Sequence, residues 1–404
     1  MRVLALLSVA LTLYSSEPSK VKLDAYISQL KQEQFKLDYE RIDNESSLLR
    51  DSWIMPININ YTLDKSNPFQ KLQTSQRAAI VMDQPIFRSG GIFYGIKFAQ
   101  ASREFSNLSV EQLERQVIKQ AVELLMLLKK SNLQLKQQRV RLANAEINLI
   151  QKKESYLNGQ LDSGFLTDAV IQKNVVAKAL FDIERNTQSY LSQFKAISDM
   201  NPQNATVPHL KIISEDEFLN NNIDLNKIKS QSKRDDYNKN ITIAKYLPSL
   251  NVVGGYNWSG TEGVHVFNGT RAIDDSEDKY YNFGIKATLP LNINSYNDIQ
   301  VARIEYLKSV VIQEDTAREQ KALFERIMQS LENYDKKIVL AKENIELYST
   351  LYSDTQILYK AGYKTSYDVD SLKNSLEIEN YEMSIIELDK QMALLTLYEK
   401  LSSL

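Results

Sequence analysis

The sequence predicts a mainly α-helical α+β chain in which long antiparallel coiled-coil helices carry four β-strands. Three observations lead there. Helix breakers are scarce, with 12 Gly and 8 Pro in 404 residues, where the two together usually make up about 12 per cent. They cluster in two windows, 54–95 and 248–290, and leave the stretches 19–55, 96–158, 165–201, 291–361 and 363–404 free of both. The windows alone alternate apolar and polar residues, and the whole pattern occurs twice in tandem.

The chain opens with Arg2 and an apolar run from Val3 to Leu13, then small residues, which reads as a signal peptide over 1–15 cleaved near Ser15 or Ser16. Elsewhere no run approaches the roughly 20 apolar residues of a membrane helix, and 25% of the chain is charged. With 49 basic and 51 acidic residues, nothing selects a nucleic-acid backbone as partner. The absence of Cys excludes disulfides, thiol catalysis and a lipidated N-terminal Cys.

The first repeat, 16–200, reads as a helix, a strand pair at about 54–88 and a long helix pair at about 92–200. In its window Ile57, Ile59, Tyr61 and Leu63 alternate with Asn58, Asn60 and Thr62, and Ala79 to Phe87 forms a weaker strand with Ile80 and Met82 on one side. The second repeat, 223–404, repeats the order, with strands at about 249–291 and helices at about 295–402. Here Leu250, Val252, Gly254, Tyr256 and Trp258 alternate with Asn251, Val253, Gly255 and Asn257, and Tyr281, Phe283, Ile285 and Ala287 with Asn282, Gly284 and Lys286. Period two with one polar face describes a sheet that is apolar on one side. Polar loops are expected at Asp64–Gln76 and Gly260–Lys279. The apolar parity after Pro56 is offset by one from that after Pro248, which predicts a bulge or missing residue in the first strand.

The breaker-free stretches 96–158 and 291–361 would measure about 95 and 105 Å as helices, at about 1.5 Å per residue, which is too long for a globular core. Ala121, Leu128, Leu135, Leu142, Leu149 and Tyr156 recur every seventh residue. Phe324, Ile327, Leu331, Tyr334, Ile338, Ala341, Ile345, Tyr348, Tyr352, Thr355 and Tyr359 step by three and four, as a coiled-coil seam does. Repeat matches pair Met55-Pro56 with Leu247-Pro248, Gln84-Pro85 with Leu289-Pro290, and Gly164-Phe165-Leu166-Thr167 with Gly362-Tyr363-Lys364-Thr365. A connector, 201–222, carries Pro202 and Pro208.

Four strands cannot close a barrel alone, since the smallest filled barrels need about eight, and an open sheet exposes edges that pair with another chain. Three chains would supply twelve. A face of Asn, Thr, Lys and Gly is too polar for a packed core, so it reads as lumen and the apolar face as lipid-facing, with Trp53, Trp258, Tyr256, Tyr280 and Tyr281 as an aromatic girdle. The competing reading is a secreted periplasmic coiled-coil tether whose strands dock on the coil.

The signal segment, the tandem repeat, Val21-Lys22-Leu23-Asp24-Ala25-Tyr26-Ile27, Tyr246-Leu247-Pro248-Ser249-Leu250 and Tyr359-Lys360-Ala361-Gly362-Tyr363-Lys364-Thr365 followed by Asp368-Val369 together resemble the TolC outer-membrane efflux protein family. The resemblance implies a homotrimer with a twelve-stranded barrel in the outer membrane, a helical tunnel through the periplasm and an equatorial region near 201–245. It also implies passive export in series with a periplasmic adaptor and an inner-membrane pump. Small toxic compounds and polypeptides both remain open as cargo.

No catalytic constellation, cofactor or metal site is expected. His209 and His265 lack carboxylate partners at ligand spacing, and Gly90-Gly91 with Gly95 reads as the bend from strand to helix. The tip of the second repeat is the one candidate site. Asp368 matches the aspartate that lines the family's periplasmic constriction, while Ser371 stands where a second is expected and Asp370 lies one residue early. Thr365-Ser366-Tyr367-Asp368 also reads as a helix capping box. In the first repeat Thr167 would be the capping residue, and Val170 would stand in the place of Asp368. Gly164, Thr167, Gly362, Tyr363, Lys364 and Thr365 are the expected adaptor contacts, with Tyr352 and Tyr359 packing the tip coils.

Overall fold

The computed structural model describes residues 23–67, 72–262, 264–267, 270–273 and 276–402, with side chains outside 264–273. The expected signal peptide, Val21-Lys22 and the His265 side chain lie outside the described residues. After a 3-10 turn at Leu23–Tyr26 the elements run α1 (Gln29–Arg50), β1 (Asn58–Ser66), β2 (Gln73–Phe87), α2 (Gly91–Leu157), α3 (Ser163–Ile197) and α4 (Glu215–Asn220). They continue with α5 (Ile223–Ala244), β3 (Ser249–Glu262), β4 (Val264–Phe267), β5 (Thr270–Ile273), β6 (Ser276–Thr288), α6 (Ser295–Lys360) and α7 (Ser366–Tyr398).

The duplication is visible in the lengths. α1 and α5 both have 22 residues, α2 and α6 have 67 and 66, and α3 and α7 have 35 and 33. The compact units nevertheless do not follow the copies. Among the described residues one unit holds 23–32, Arg115–Ile212 and 327–402, and the other holds Glu33–Glu114 and Ile213–Arg326.

In the second of these units the four long strands form one antiparallel sheet in the order β1-β2-β3-β6, so β1 and β6 are its edges. The register aligns Ile59 with Ile80, Ile80 with Tyr256 and Tyr256 with Tyr281, and likewise Val252 with Ile285. Residues directly opposite in an antiparallel pair share a face, so the apolar sides of all four strands coincide. Asn60, Ala79, Asn257 and Tyr280 line the other face, which moves Tyr280 out of the expected girdle.

Two expectations are corrected. β1 pairs with β2 without interruption from Asn58 to Ser66, and the register shift lies in β2 between Pro85 and Phe87. Residue 86 is the extra one; β1 needs none because the chain joins the ladder only at Asn58, and Gln84 holds the preceding segment by donating to the Trp53 carbonyl (3.1 Å) and accepting from the Met55 amide (3.0 Å). The second correction concerns the loops. Both are shorter than expected, and the second contains its own hairpin, β4 with β5, over part of the predicted polar loop.

The helices of this unit are held by a small apolar core in which Phe218 and Phe324 stack with ring centroids 5.6 Å apart. Asn222 is fully buried there. Its side-chain oxygen accepts from the Leu225 amide (3.1 Å), capping α5, and its nitrogen donates to Gln320 (3.1 Å).

In the other unit Ile118, Leu125 and Met126 of α2, Phe194 of α3, Leu331 of α6 and Leu394, Leu395 and Leu397 of α7 are almost completely buried. The extended connector lies against α7. Gln391 accepts from the Leu210 amide (2.8 Å), and the Tyr398 hydroxyl bonds both the amide (3.2 Å) and the carbonyl (3.1 Å) of Lys211. Side chains here take the place of a neighbouring strand.

Asn222→Ala should destabilise the chain by about 2 kcal/mol, because it strands both the Leu225 amide and the Gln320 carbonyl in the core. Asn222→Asp should recover the cap half of that loss. Urea denaturation of the three proteins checks the order.

Candidate functional site

The two helix turns at the ends of α2 and α6 lie in the same compact unit and are built alike. α6 ends at Lys360, and Gly362 follows at φ +83°. The Gly362 amide donates to Tyr359 (3.0 Å) and the Tyr363 amide to Leu358 (2.9 Å), a Schellman closure that needs a left-handed residue. α2 ends the same way. Gly159 sits at φ +70°, its amide donating to Tyr156 (3.0 Å) and that of Gln160 to Ser155 (2.9 Å). Gly159 and not Gly164 is therefore the counterpart of Gly362, 203 residues away. Gly164 lies inside the first turn of α3.

The caps follow the same offset. Thr365 caps α7, its hydroxyl accepting from the Asp368 amide (3.3 Å), and Asp368 reaches back to accept from the Thr365 amide and hydroxyl (2.9 Å each). The capping box read from the sequence is present. In the first tip Asp162 is the cap, accepting from the Gly164 amide at 2.7 Å, and Thr167 instead donates to the Ser163 carbonyl (2.9 Å) within α3. Phe165, not Val170, then stands in the place of Asp368. It is half exposed, with the Lys152 ammonium 5.6 Å from its ring centre. The expected match failed because Gly-x-x-Thr recurs by chance in the first turns of α3, five residues past the true counterpart of Gly362, whereas Asn158-Gly159 and Asp162-Ser163 carried the helix-stop and helix-start signals.

The hydrogen bonds from Thr365, the backbone one first, hold the Asp368 carboxyl below the usual carboxylate range. A carboxylate with a lowered folded pKa contributes stability that is present above its unfolded value, about 3.9, and is lost as pH falls through the folded value. Asp368 is thus charged throughout the neutral range. Asp370 is exposed, and Tyr363 is 80% exposed.

The seam predicted along α6 is buried or half-buried from Phe324 through Tyr352, and Thr355 is buried, but Tyr359 remains 48% exposed. A set of contacts that the sequence did not reveal joins α2 to α7. Lys130 pairs with Asp389 (2.6 Å), Gln137 with Glu382 (2.8 Å) and Asn144 with Asn374 (2.8 Å), and the Tyr367 hydroxyl donates to Glu154 (3.4 Å). The first three α2 positions are seven apart. Heptad spacing signalled one face of the helix, but polar residues at that spacing pass for solvated ones until the partner helix is known.

In the sheet-bearing unit, Trp258, Tyr256 and Tyr281 all lie on the apolar face, with Tyr256 opposite Tyr281 at mid-strand and Trp258 opposite Lys279. The Trp258 indole donates to Glu277 at 2.7 Å. Trp53 sits at the other end, before β1. Gly90 at φ +89° and Ser89 at φ +46° turn the chain from β2 into α2, as the glycines suggested. Among the described residues no cluster of His, Cys, Asp or Glu could hold a metal, and no helix is long and apolar enough to cross a membrane.

The second half of the chain matches a family model over residues 216–402, and that model describes outer membrane efflux proteins. That half of the chain is therefore similar to outer membrane efflux proteins. No curated protein matches the chain in sequence. The structural likeness covers both halves. The structure is similar to the outer membrane protein VceC of Vibrio cholerae, with a TM-score of 0.71 at 13% identity over 93% of this chain and 94% of the other. It is similar to the CmeC outer membrane channel of Campylobacter jejuni, with 0.70 at 14% identity over 94% and 84%. The open state of the Neisseria gonorrhoeae MtrE outer membrane channel gives 0.62 at 12% identity over 94% and 87%. The fold is that of the TolC family.

Thr365→Ala should cost about 1 kcal/mol through the lost cap. Asp368→Asn should cost less, because an amide oxygen still accepts from Thr365, and neither effect should change between pH 5 and 8. Thermal unfolding of the purified chain across that range tests both.

Proposed function

We propose that the chain is a passive outer-membrane exit duct of an efflux system, acting as a homotrimer whose three sheets close a twelve-stranded barrel. One observation carries this reading. The sheet leaves its apolar face bare, with Ile59 78%, Phe283 84% and Ile285 74% exposed, while its two edge strands lack a second partner strand among the described residues. Lipid would cover the face and neighbouring copies would cover the edges. The dimensions agree. From Lys279, where charge begins, to Thr288 at the end of β6 is about 31 Å at about 3.4 Å per residue, or about 23 Å across a membrane at a strand tilt of about 40°, close to the roughly 25 Å apolar band of such barrels.

The helices then extend into the periplasm, and energy comes from an inner-membrane pump through a periplasmic adaptor. The exposed tip residues Gly362, Tyr363, Lys364 and Thr365, with Gly164 and Thr167 in the first turns of α3, are the adaptor contacts. Tyr352 and Tyr359 pack the tip coils of the assembled duct. Asp368, with Asp370 beside it, forms an acidic ring at the narrow end, and the same carboxylate both caps α7 and faces the axis. Trp53, Trp258, Tyr256 and Tyr281 anchor the barrel in the membrane. A coiled-coil tether without a pore would leave the apolar face unexplained.

Outer-membrane fractions should contain a heat-modifiable trimer on gels, and a soluble periplasmic monomer would overturn the duct. Ile285→Arg near mid-bilayer should cost about 2–4 kcal/mol and block assembly, whereas Asn282→Arg on the polar face should be tolerated; trimer yield distinguishes them. In planar bilayers the duct should prefer cations, and Asp368→Asn should weaken that preference while leaving the trimer intact. Unchanged selectivity would leave Asp368 as a helix cap alone.

A further inference from the structure

At the foot of the sheet, where β3 begins and β6 ends, lies a cavity of about 440 Å³ within the sheet-bearing unit. Its walls divide by chemistry. Ile241, Leu247 and Pro290 supply an apolar side, and Ser249, Arg88 and Lys245 a polar one. The volume lies in the usual range for small-molecule sites, which pair an apolar lining with a few placed polar groups.

The charges around it are unevenly satisfied. Lys245 pairs with Asp298 at 3.3 Å, and the Tyr246 hydroxyl donates to the same carboxylate at 2.5 Å. Asp83 accepts from Asn251 (2.5 Å) and pairs with Lys286 (3.3 Å). Among the described residues the Arg88 guanidinium makes no side-chain hydrogen bond or salt bridge; it only attracts, at longer range, the Asp83 carboxylate, which Asn251 and Lys286 already engage, so the Arg88 donors remain open to an anion. The backbone places Arg88 there at some strain. Ser89 adopts φ +46°, uncommon for a residue with a side chain, and its hydroxyl donates to the Pro248 carbonyl at 2.6 Å, tying the turn after Arg88 to the start of β3.

The register decides which compartment the cavity serves. Ser249 pairs with Thr288 and Asn251 with Lys286, on the face that carries Asn257 and Asn282 and opposite Ile285. Lipid therefore does not reach it. We propose that the cavity binds soluble organic anions that carry an apolar ring or chain beside a single negative group, the anion pairing with Arg88 and the apolar part lying on Ile241, Leu247 and Pro290. Its role as a station for cargo rests on the duct reading; the binding chemistry does not.

Equilibrium dialysis of the purified full-length protein in amphipol tests the site with naphthalene-2-sulfonate, with 2-naphthylmethylammonium as the same body with opposite charge and inorganic sulfate as charge without body. The sulfonate should bind one per chain, and neither control should compete. Arg88→Gln should weaken it about ten-fold or more, the loss expected for one charge-assisted hydrogen bond, and Arg88→Lys should retain most of the affinity. Equal binding of the ammonium probe, or unchanged sulfonate affinity in Arg88→Gln, would overturn the site. Dialysis needs no ion current, so the two readings fail separately. A protein that binds the sulfonate but forms no conducting trimer overturns the duct and keeps the site, and a conducting trimer that binds no sulfonate does the reverse.

Discussion

Backbone hydrogen bonding at two strand edges is the constraint on which the rest of the structure depends. Among the described residues, β1 and β6 each present a row of amides and carbonyls that no other strand pairs with, beside an apolar face left exposed. Burying such a face in protein would have required a third layer. The tandem copies instead invest almost all their remaining length in helices, so the sheet's completion lies with its surroundings. Its internal order is correspondingly strict. One residue of slip would carry Ile80, Tyr256 and Phe283 to the side of Asn257 and Asn282, and the single irregularity, beside Pro85, lies at the very end of the ladder.

Much of this was legible in the sequence because the two governing periods are so different. Alternation placed the strands and their faces, and scarcity of Gly and Pro placed the helices. What stayed hidden was set by partners distant in the chain. The parity offset after Pro56 is absorbed before β1 begins, where the Gln84 side chain replaces ladder bonds, and no local pattern distinguishes that from a bulge. The hairpin β4–β5 arose inside a segment whose polar composition reads as loop. The connector showed in sequence only its two prolines, yet Gln391 and Tyr398, some 180 residues away, give its backbone the partners of a strand.

The tips show the same limit at smaller scale. Thr365 and Asp368 are three residues apart, so their reciprocal bonds could be read directly. The first tip misled because a motif match competed with helix punctuation, and punctuation reports backbone conformation while a four-residue match reports only similarity. Gly159 is required by its positive φ, whereas Gly164 is merely helical.

That substitution of Phe165 for Asp368 has a consequence for symmetry. A ring made from three tandem duplicates has six hairpins, and identical copies would give it a sixfold rim. Because one tip bears an aromatic ring beneath Lys152 and the other a carboxylate locked by Thr365, the rim of such a ring would be only threefold, with two alternating kinds of position. Any six-membered collar that docks there must distinguish odd seats from even ones, and its subunits, though identical in sequence, would have to settle into two conformations.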